Sequence, residues 1–221
     1  LGGDIGGTKT DLGLFAMGQK RPELIVMESF QSRKAKNLRE IIESFLAKNP
    51  ENVKAACFGV AGPVIAGKCK ITNLAWDVSE QEIEFHFKWE KTKLINDLFA
   101  MANSIQLLEP SELFPINPGC GDENGNAGLV APGTGLGMSL LVPINESLRP
   151  IASEGGHVGF APRNETEIDL WRYMRAVYGR VTTERLVSGP GIYSIYQWLK
   201  KKRQYEEPDW LTQKISAGDP T

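Results

Sequence analysis

Short apolar runs begin the chain, and their length is typical of strands rather than helices. The runs predict strands at Leu1–Asp4, Leu12–Met17 and Leu24–Phe30. A continuous apolar run at Val53–Val60 is typical of a strand buried on both faces. A shorter run, Lys93–Asn96, predicts another buried strand. The first half of the chain therefore contains most of a sheet.

A helical period interrupts these strands. In Asn37–Asn49 apolar residues recur every three or four positions, and Asn37 is a candidate N-cap. Ser79 and Glu82 have the spacing of a capping box and predict the start of a short helix. Asp97–Ile105 predicts a helix that leaves the end of a strand. Strands that alternate with helices indicate an α/β fold.

A segment rich in proline and glycine, Leu108–Gly125, divides the chain. We expect a small α/β domain over residues 1–107 and a large α/β domain, incomplete in this chain, over residues 108–221. Beyond the loop the pattern predicts two strands, the turn that joins them and two helices, which are Ala127–Ala131, Met138–Val142, Pro132–Gly137, Ile168–Tyr178 and Ile192–Lys202. Gly179 stands in the C-cap position of the first helix, and a polar tail follows the second.

Composition narrows the classes of partner. The 221 residues are 41% hydrophobic and 24% charged, and a net charge of −2 favours neither nucleic acid nor an acidic membrane as partner. No apolar run approaches the roughly 18–20 residues of a membrane-spanning helix. Cys57, Cys69 and Cys120 form no CxxC pair, so we expect reduced thiols packed as small hydrophobic groups and a cytoplasmic location.

The first glycine-rich unit runs from Gly3 through Asp4, Ile5, Gly6, Gly7, Thr8 and Lys9 to Thr10. Two adjacent glycines allow backbone N–H groups to face an anion without an intervening side chain. Thr8 adds a hydroxyl donor, Lys9 a positive charge, and Asp4 could hold a water on Mg²⁺ without binding the metal directly. A hairpin turn that merely requires glycine is the alternative.

The second glycine-rich unit comprises Gly133, Thr134, Gly135, Leu136 and Gly137. It does not match a dinucleotide fingerprint, because Met138 stands where the third glycine is needed and a strand follows. Together with the first unit it predicts two hairpin loops that hold one polyphosphate.

Asn96 and Asp97 end the strand between these two units. A carboxylate at the carboxyl end of a strand lies where open α/β sheets bind ligands, and Asp97 could accept a proton from an attacking hydroxyl. The alternative is that Asp97 caps the helix that begins there.

Three further polar residues follow the second unit. Glu154 and His157 bracket two glycines, so both side chains can point into a cleft and bind vicinal sugar hydroxyls. Glu184 is a third acid in a short polar stretch. The alternatives are a hydrogen-bonded turn histidine and a Glu184 that pairs with Arg185 or caps the next segment.

In order, these segments resemble bacterial glucokinases of the hexokinase–actin superfamily. The resemblance covers roughly residues 1 to 200 and rests on seven segments: GDIGGTKT from Gly3, GVAGP from Gly59, TNLAW from Thr72, IND from Ile95, APGTGLG from Ala131, SEGGHV from Ser153 and ERLVSGPG from Glu184.

The resemblance implies a two-domain actin-like, ribonuclease-H-like α/β fold, with the C-terminal part of the family fold missing from this chain. It implies a cleft between the domains, ATP with Mg²⁺ as phosphate donor, and glucose as acceptor at its 6-hydroxyl. By match to the family's motifs, Asp97 is the general base. Asn96, Glu154, His157 and Glu184 hold glucose hydroxyls, with Asn73 a further candidate, while Gly3–Thr8 and Gly133–Gly135 form the two phosphate loops.

Other functions remain open from the sequence alone. A kinase for another hexose or an amino sugar would share these hydroxyl-binding residues. A non-catalytic sugar sensor would need no base at the 6-hydroxyl, so the Asn96-Asp97 pair argues against it. No counterpart of the family's adenosine-binding segment is recognised before Thr221, and a homodimer is one open assembly.

Overall fold

The computed structural model describes residues 1–71, 74–122, 124–145, 147–202 and 207–218. These residues form two compact units, unit 1 from Leu1 to Gly121 and unit 2 from Asp122 to Thr221. The predicted boundary after residue 107 precedes the end of unit 1 at Gly121, and the assignment of functions to the two domains stays a prediction.

Unit 1 is built on a five-stranded mixed sheet. Its strands are β1 (Gly2–Ile5), β2 (Lys9–Ala16), β3 (Glu23–Gln31), β4 (Ala55–Val60) and β7 (Lys91–Asn96), in the order β3-β2-β1-β4-β7. The first three strands pair antiparallel, whereas β1, β4 and β7 run parallel. A separate hairpin joins β5 (Lys68–Lys70) and β6 (Asp77–Ser79), which the apolar pattern did not reveal because each strand has only three residues. The α/β prediction is confirmed.

One face of this sheet carries the core of unit 1. Helix α1 (Leu38–Lys48) packs Ile42 and Phe45, both fully buried, against strand residues such as Phe58. The predicted cap is confirmed, because the Asn37 side chain accepts a hydrogen bond from the N–H of Glu40. Apolar periodicity therefore located this helix and its buried face.

The opposite face is more open than predicted. Cys57 is exposed although Ala56 and Phe58, its neighbours in β4, are buried, because alternate residues of a strand point to opposite faces. The expectation that this strand is buried on both faces is therefore wrong at Cys57. All three cysteines are free, but only Cys69 is packed as a small hydrophobic group, since Cys120 is also exposed in the proline- and glycine-rich loop.

Strand β7 is an edge of the sheet, and helix α2 (Glu80–Phe87) covers that edge. The carboxylate of Glu84 accepts a hydrogen bond from the N–H of Thr92 at 2.6 Å, and that of Glu80 accepts from the N–H of Leu94 at 2.8 Å. The capping box predicted at the start of α2 is wrong, because the Ser79 side chain makes no capping hydrogen bond. Glu80, the first residue of the helix, is instead turned to the strand.

Helix α3 (Asp97–Ser104) follows β7 directly, as predicted. It packs on the face of the sheet opposite to α1. A Cβ added to Gly59 would lie 3.5 Å from the Cβ of Ala100. A 3₁₀ turn at Ile105–Leu107 follows the helix, and the predicted loop Leu108–Gly125 contains another at Pro110–Glu112.

Unit 2 begins with a three-stranded antiparallel sheet. Its strands are β8 (Ala127–Pro132), β9 (Leu136–Ile144) and β10 (Ser147–Ser153), with β9 in the centre. The sequence predicted the first two strands, with shorter bounds, but not β10. Pro150 obscured this strand, yet proline is tolerated here because β10 is an edge strand.

The helices of unit 2 are α4 (Glu165–Tyr178), α5 (Gly189–Lys201) and α6 (Asp209–Ala217). Met174 of α4 and Trp198 of α5 belong to a small buried cluster. Gly179 ends α4 with a φ of 73°, which confirms the predicted C-cap. The expectation that only a polar tail follows α5 is wrong, because this tail includes α6, a helix that buries none of its residues. Within the described ranges, no helix is both long and apolar enough to cross a membrane.

Candidate functional site

Two buried hydroxyl groups, those of Ser32 and Thr10, support the turn between β1 and β2. The N–H of Gly6 donates to the carbonyl of Lys9 at 3.0 Å, which closes the hairpin. The Ser32 hydroxyl donates to the Gly6 carbonyl at 2.8 Å, and the Ser32 N–H donates to the Thr8 carbonyl at 3.0 Å. Thr10, fully buried like Ser32, lies 2.9 Å from it, hydroxyl to hydroxyl. Ser32 supports the turn but was not found in the sequence, since it lies 26 residues away.

The outer side of this turn presents free donors. The N–H groups of Gly7 and Thr8 donate to no acceptor in the described part of the chain. The Lys9 ammonium lies 2.9 Å from the Asp11 carboxylate, so its charge is partly neutralised. Two backbone donors, rather than the whole glycine-rich unit, are thus available to an anion.

Gly3 and Ile5 serve the packing of β1. A Cβ on Gly3 would lie 2.7 Å from Leu12 and 2.8 Å from Phe58, so only glycine fits there. The Ile5 side chain is fully buried. Contact of these two predicted cofactor-binding residues with a ligand would therefore be limited to their backbone.

The sequence left two roles open for Asp97, helix capping and proton acceptance. The structure assigns the capping to Asn96. Asn96 is the N-cap of α3, because its Oδ1 accepts from the N–H of Phe99 at 3.2 Å. The Oδ1 of Asp97 accepts from the N–H of Leu98 at 2.8 Å and from the Asn96 amide at 2.9 Å. The Oδ2 of Asp97 accepts no hydrogen bond from the described residues. One oxygen is therefore fixed, and the other has no hydrogen-bond partner among the described residues.

The charge of Asp97 acts on Asp4 at the carboxyl edge of the sheet. Asp4 is in register with Gly59 of β4, and Gly59 with Ile95 of β7, two residues before Asp97. Partial burial raises the pKa of Asp4, and the negative charges of Asp97 and Asp11 raise it further. The strand ends thus bring two carboxylates and the glycine turn to one edge.

In unit 2, Glu184 lies between the second glycine loop and His157, another predicted sugar-binding residue. Its Oε2 accepts from the N–H of Leu136 at 3.0 Å. Gly135 permits this approach, since a Cβ on it would lie 2.7 Å from the same oxygen. The loop is closed by a hydrogen bond of 2.8 Å from the N–H of Gly133 to the carbonyl of Gly135, while Thr134 stays exposed at its tip.

His157 lies between two carboxylates. Its Nε2 is 3.7 Å from Glu154 Oε2, and its Nδ1 is 3.8 Å from Glu184 Oε1. Both distances exceed those of a hydrogen bond. Glu154 is 89% exposed and Glu184 only 26%, so one acid is open to solvent and the other is held. Hydroxyl groups of a ligand would find both donors and acceptors here.

Gly156 allows the 3₁₀ turn Gly155–His157 to lie against the start of β9. A Cβ on Gly156 would stand 2.2 Å from the Leu136 carbonyl oxygen, so any side chain would displace the turn. The turn is also held by a hydrogen bond of 3.1 Å from Arg180 to the His157 carbonyl.

Two predictions remain, the sugar-binding role of Asn73 and the absence of a direct metal ligand. Asn73 lies outside the described residues. The described residues include no group of three or more His, Cys, Asp or Glu side chains arranged to hold a metal ion.

Comparison with known proteins gives a consistent result. A model of the glucokinase family matches residues 1–218. A glucokinase of Marinobacter nauticus is 36% identical over 219 residues, which cover 99% of this chain and 68% of the relative. The crystal structure of a glucokinase from an Antarctic psychrotroph aligns with a TM-score of 0.81 at 29% identity, over 94% of this chain and 66% of that one.

A more distant neighbour shares the fold. The structure of a Balamuthia mandrillaris glucokinase in complex with glucose aligns with a TM-score of 0.64 at 23% identity, over 93% of this chain and 63% of that one. The chain thus spans about two thirds of the length of the curated relatives it matches: 68% of the Marinobacter nauticus glucokinase and 63% of a glucokinase of Nostoc punctiforme.

Proposed function

The chain belongs to the glucokinase family, and we propose that it is the phosphate- and sugar-binding part of an enzyme that transfers the γ-phosphate of ATP to the 6-hydroxyl of glucose. Its mixed α/β fold is that of the actin-like sugar kinases. The observation that carries the proposal is the free Oδ2 of Asp97, fixed through its other oxygen at the carboxyl edge of the sheet.

Asp97 would act as general base. The sugar oxygen forms a bond to the γ-phosphorus, the bond from that phosphorus to the β,γ-bridging oxygen breaks, and the hydroxyl proton passes to Asp97. ADP leaves with the electron pair of the broken bond. A positioned base contributes about 10²–10⁴-fold to such a rate.

The two glycine loops would bind the phosphates. In unit 1, the N–H groups of Gly7 and Thr8 are available, and the buried Ser32 fixes the turn that presents them. In unit 2, Gly133, Thr134 and Gly135 form the corresponding loop. Donors fixed before the ligand arrives need no reorganisation during the reaction, which is why such loops suit phosphoryl transfer.

The acidic edge of unit 1 also suits Mg²⁺. Burial is the main cause of the raised pKa of Asp4, and the negative charges of Asp97 and Asp11 add to it; a cation would relieve this added repulsion. Mg²⁺ bound with ATP would neutralise phosphate charge, and Asp4 would hold one of its waters. Asn96 and Asp97 in unit 1, and Glu154, His157 and Glu184 in unit 2, would bind the sugar hydroxyls.

Glucose is the substrate that the name of the relatives, glucokinase, indicates, and the structure of the Balamuthia mandrillaris glucokinase is a complex with glucose. A kinase for another hexose or an amino sugar remains the second candidate, because the acids around His157 would bind hydroxyl patterns that several sugars share. We propose a cytoplasmic location from the three unpaired cysteines.

The test is a coupled ADP-release assay on the full-length protein with Mg·ATP and a panel of glucose, mannose, fructose, glucosamine and N-acetylglucosamine. We expect the highest kcat/KM with glucose. A higher kcat/KM for another sugar would make that sugar the proposed substrate. Saturable glucose binding without turnover of any sugar would contradict the kinase proposal and favour a sensor.

A further inference from the structure

We propose that Glu184 is a positioning residue that couples occupancy of the sugar site to the second glycine loop, so that sugar and nucleotide bind more tightly together than separately. This inference rests on the proposed function. It concerns unit 2 only, and it adds to hydroxyl binding by Glu184 a second role in the same carboxylate.

The two oxygens of Glu184 face different parts of the site. Oε2 accepts from the N–H of Leu136 at 3.0 Å, at the point where the loop Gly133–Gly135 enters β9. Oε1 lies 3.8 Å from His157 Nδ1. A hydrogen bond from an N–H to a carboxylate is stronger than one between neutral groups, and the side chain is only 26% exposed. The Glu184 carboxylate therefore binds the loop through one oxygen and faces His157 with the other.

The backbone strengthens the same link. The N–H of Glu184 donates to the carbonyl of Gly156 at 2.9 Å, within the turn that carries His157. The N–H of Gly189, five residues further on, donates to the carbonyl of Gly133 at 2.9 Å. The segment 184–189 thus contacts the sugar-binding turn at one end and the glycine loop at the other.

The gap between Glu184 and His157 is the step that a sugar would change. At 3.8 Å the two side chains form no direct hydrogen bond, so Oε1 retains freedom to move. A sugar hydroxyl that donates to Oε1 would fix the carboxylate and, through Oε2, the N–H of Leu136. Ordering the loop in this way lowers the cost of binding phosphate, and the effect must be reciprocal.

Glu154 offers a matched control. It approaches the other nitrogen of His157, at 3.7 Å, but it is 89% exposed and has no hydrogen bond to the loop among the described residues. Substitution of either acid should weaken sugar binding. Only substitution of Glu184 should also uncouple the loop.

The experiment measures the affinity of full-length protein for a non-hydrolysable ATP analogue with Mg²⁺, without sugar and with saturating glucose, by titration calorimetry. We expect the wild-type affinity to rise about 5–150-fold with glucose, the usual range of such coupling. In Glu184→Asp, which keeps the charge but is one methylene shorter, this ratio should fall close to one. In Glu154→Asp the ratio should stay within about twofold of wild type when glucose is raised to saturation for that variant.

An unchanged ratio in Glu184→Asp, or an equal fall in Glu154→Asp, would overturn the inference. A second measurement needs no variant: hydrogen exchange at the Leu136 amide of wild-type protein should slow when glucose alone is added, and an unchanged rate would also overturn it. Failure of the proposed function looks different, since the wild-type protein would then bind no sugar or phosphorylate none. A wild-type enzyme that phosphorylates glucose with a coupling ratio of one would contradict only the present inference.

Discussion

Units 1 and 2 hold their candidate site residues in different ways. In unit 1, Asp4, Asn96 and Asp97 stand at the ends of parallel strands above a large buried core. In unit 2, Glu154, His157 and Glu184 lie on a 3₁₀ turn and loops, and the nearest helices share only a small buried cluster. Geometry in unit 1 is thus set by regular structure, whereas in unit 2 it depends on individual hydrogen bonds.

This difference explains which parts of the site tolerate change. A strand end keeps its place as long as the core is intact. A loop residue such as Glu184 keeps its place only while specific partners such as Leu136 and Gly156 remain. We therefore expect chemistry to depend mainly on unit 1 and adaptation to ligand mainly on unit 2.

The largest effect should follow removal of the base in unit 1. Asp97→Asn keeps an oxygen that can accept from the Leu98 N–H, but it removes the proton acceptor. We expect kcat to fall about 10²–10⁴-fold, while glucose affinity stays within about tenfold. Steady-state kinetics and glucose titration check both values, with the melting temperature as control. Parallel loss of glucose binding and melting temperature would make Asp97 a structural residue.

Core substitutions test whether the two units are stabilised separately. Phe45→Ala in unit 1 should cost about 3–5 kcal/mol and Met174→Ala in unit 2 about 2–5 kcal/mol, because both side chains are fully buried. The clusters that contain them share no member, so hydrogen exchange should accelerate only in the unit that carries the substitution. Equal loss of protection in both units would show one cooperative structure.

Two helix caps within unit 1 provide a smaller and more selective test. Asn37→Ala removes a hydrogen bond to the N–H of Glu40 and should lower the free energy of unfolding by about 1 kcal/mol. Ser79→Ala removes no capping bond and should cost clearly less, although Ser79 precedes a helix in the same way. Urea denaturation of both variants measures the contrast. Equal losses would mean that Ser79 caps α2 in solution.

The smallest effect concerns the charge of Asp4. Its pKa is raised above the ordinary value of 3.8, so the folded protein binds this proton more tightly than the unfolded chain. The resulting stabilisation is complete below the unfolded pKa and is lost as pH rises through the folded pKa. Asp4→Asn should therefore gain stability relative to wild type over that interval, by less than the cap effect because solvent screens the charge. Urea denaturation across the interval tests the sign, and a relative loss would contradict the cause given for the shift.

Much of unit 1 could be predicted because local patterns and final structure agree there. The period of Asn37–Asn49 marked α1, and the sequence Asn96-Asp97 marked the end of β7. In unit 2 local signals were weaker. Pro150 interrupts the strand pattern of β10, and α6 has no buried face that would mark it as a helix.

The supports of the site were beyond sequence reasoning for a different reason. Ser32 contacts Gly6 across 26 positions, and Glu184 contacts Leu136 across 48. Such pairs have no fixed spacing, because they form only after strands and loops have been brought together. The sequence could therefore name candidate residues, which stay a prediction, but it could not show which of Asn96 and Asp97 caps α3.

The covered edge at β7 has a consequence for behaviour at high concentration. An unpaired edge strand invites a strand of another molecule to extend the sheet, which leads to polymers. Here a newcomer would have to displace the carboxylates of Glu80 and Glu84 from the N–H groups of Leu94 and Thr92, and would leave two negative charges facing its own backbone. These two hydrogen bonds therefore disfavour the addition of a strand from another molecule at this edge, even at high protein concentration.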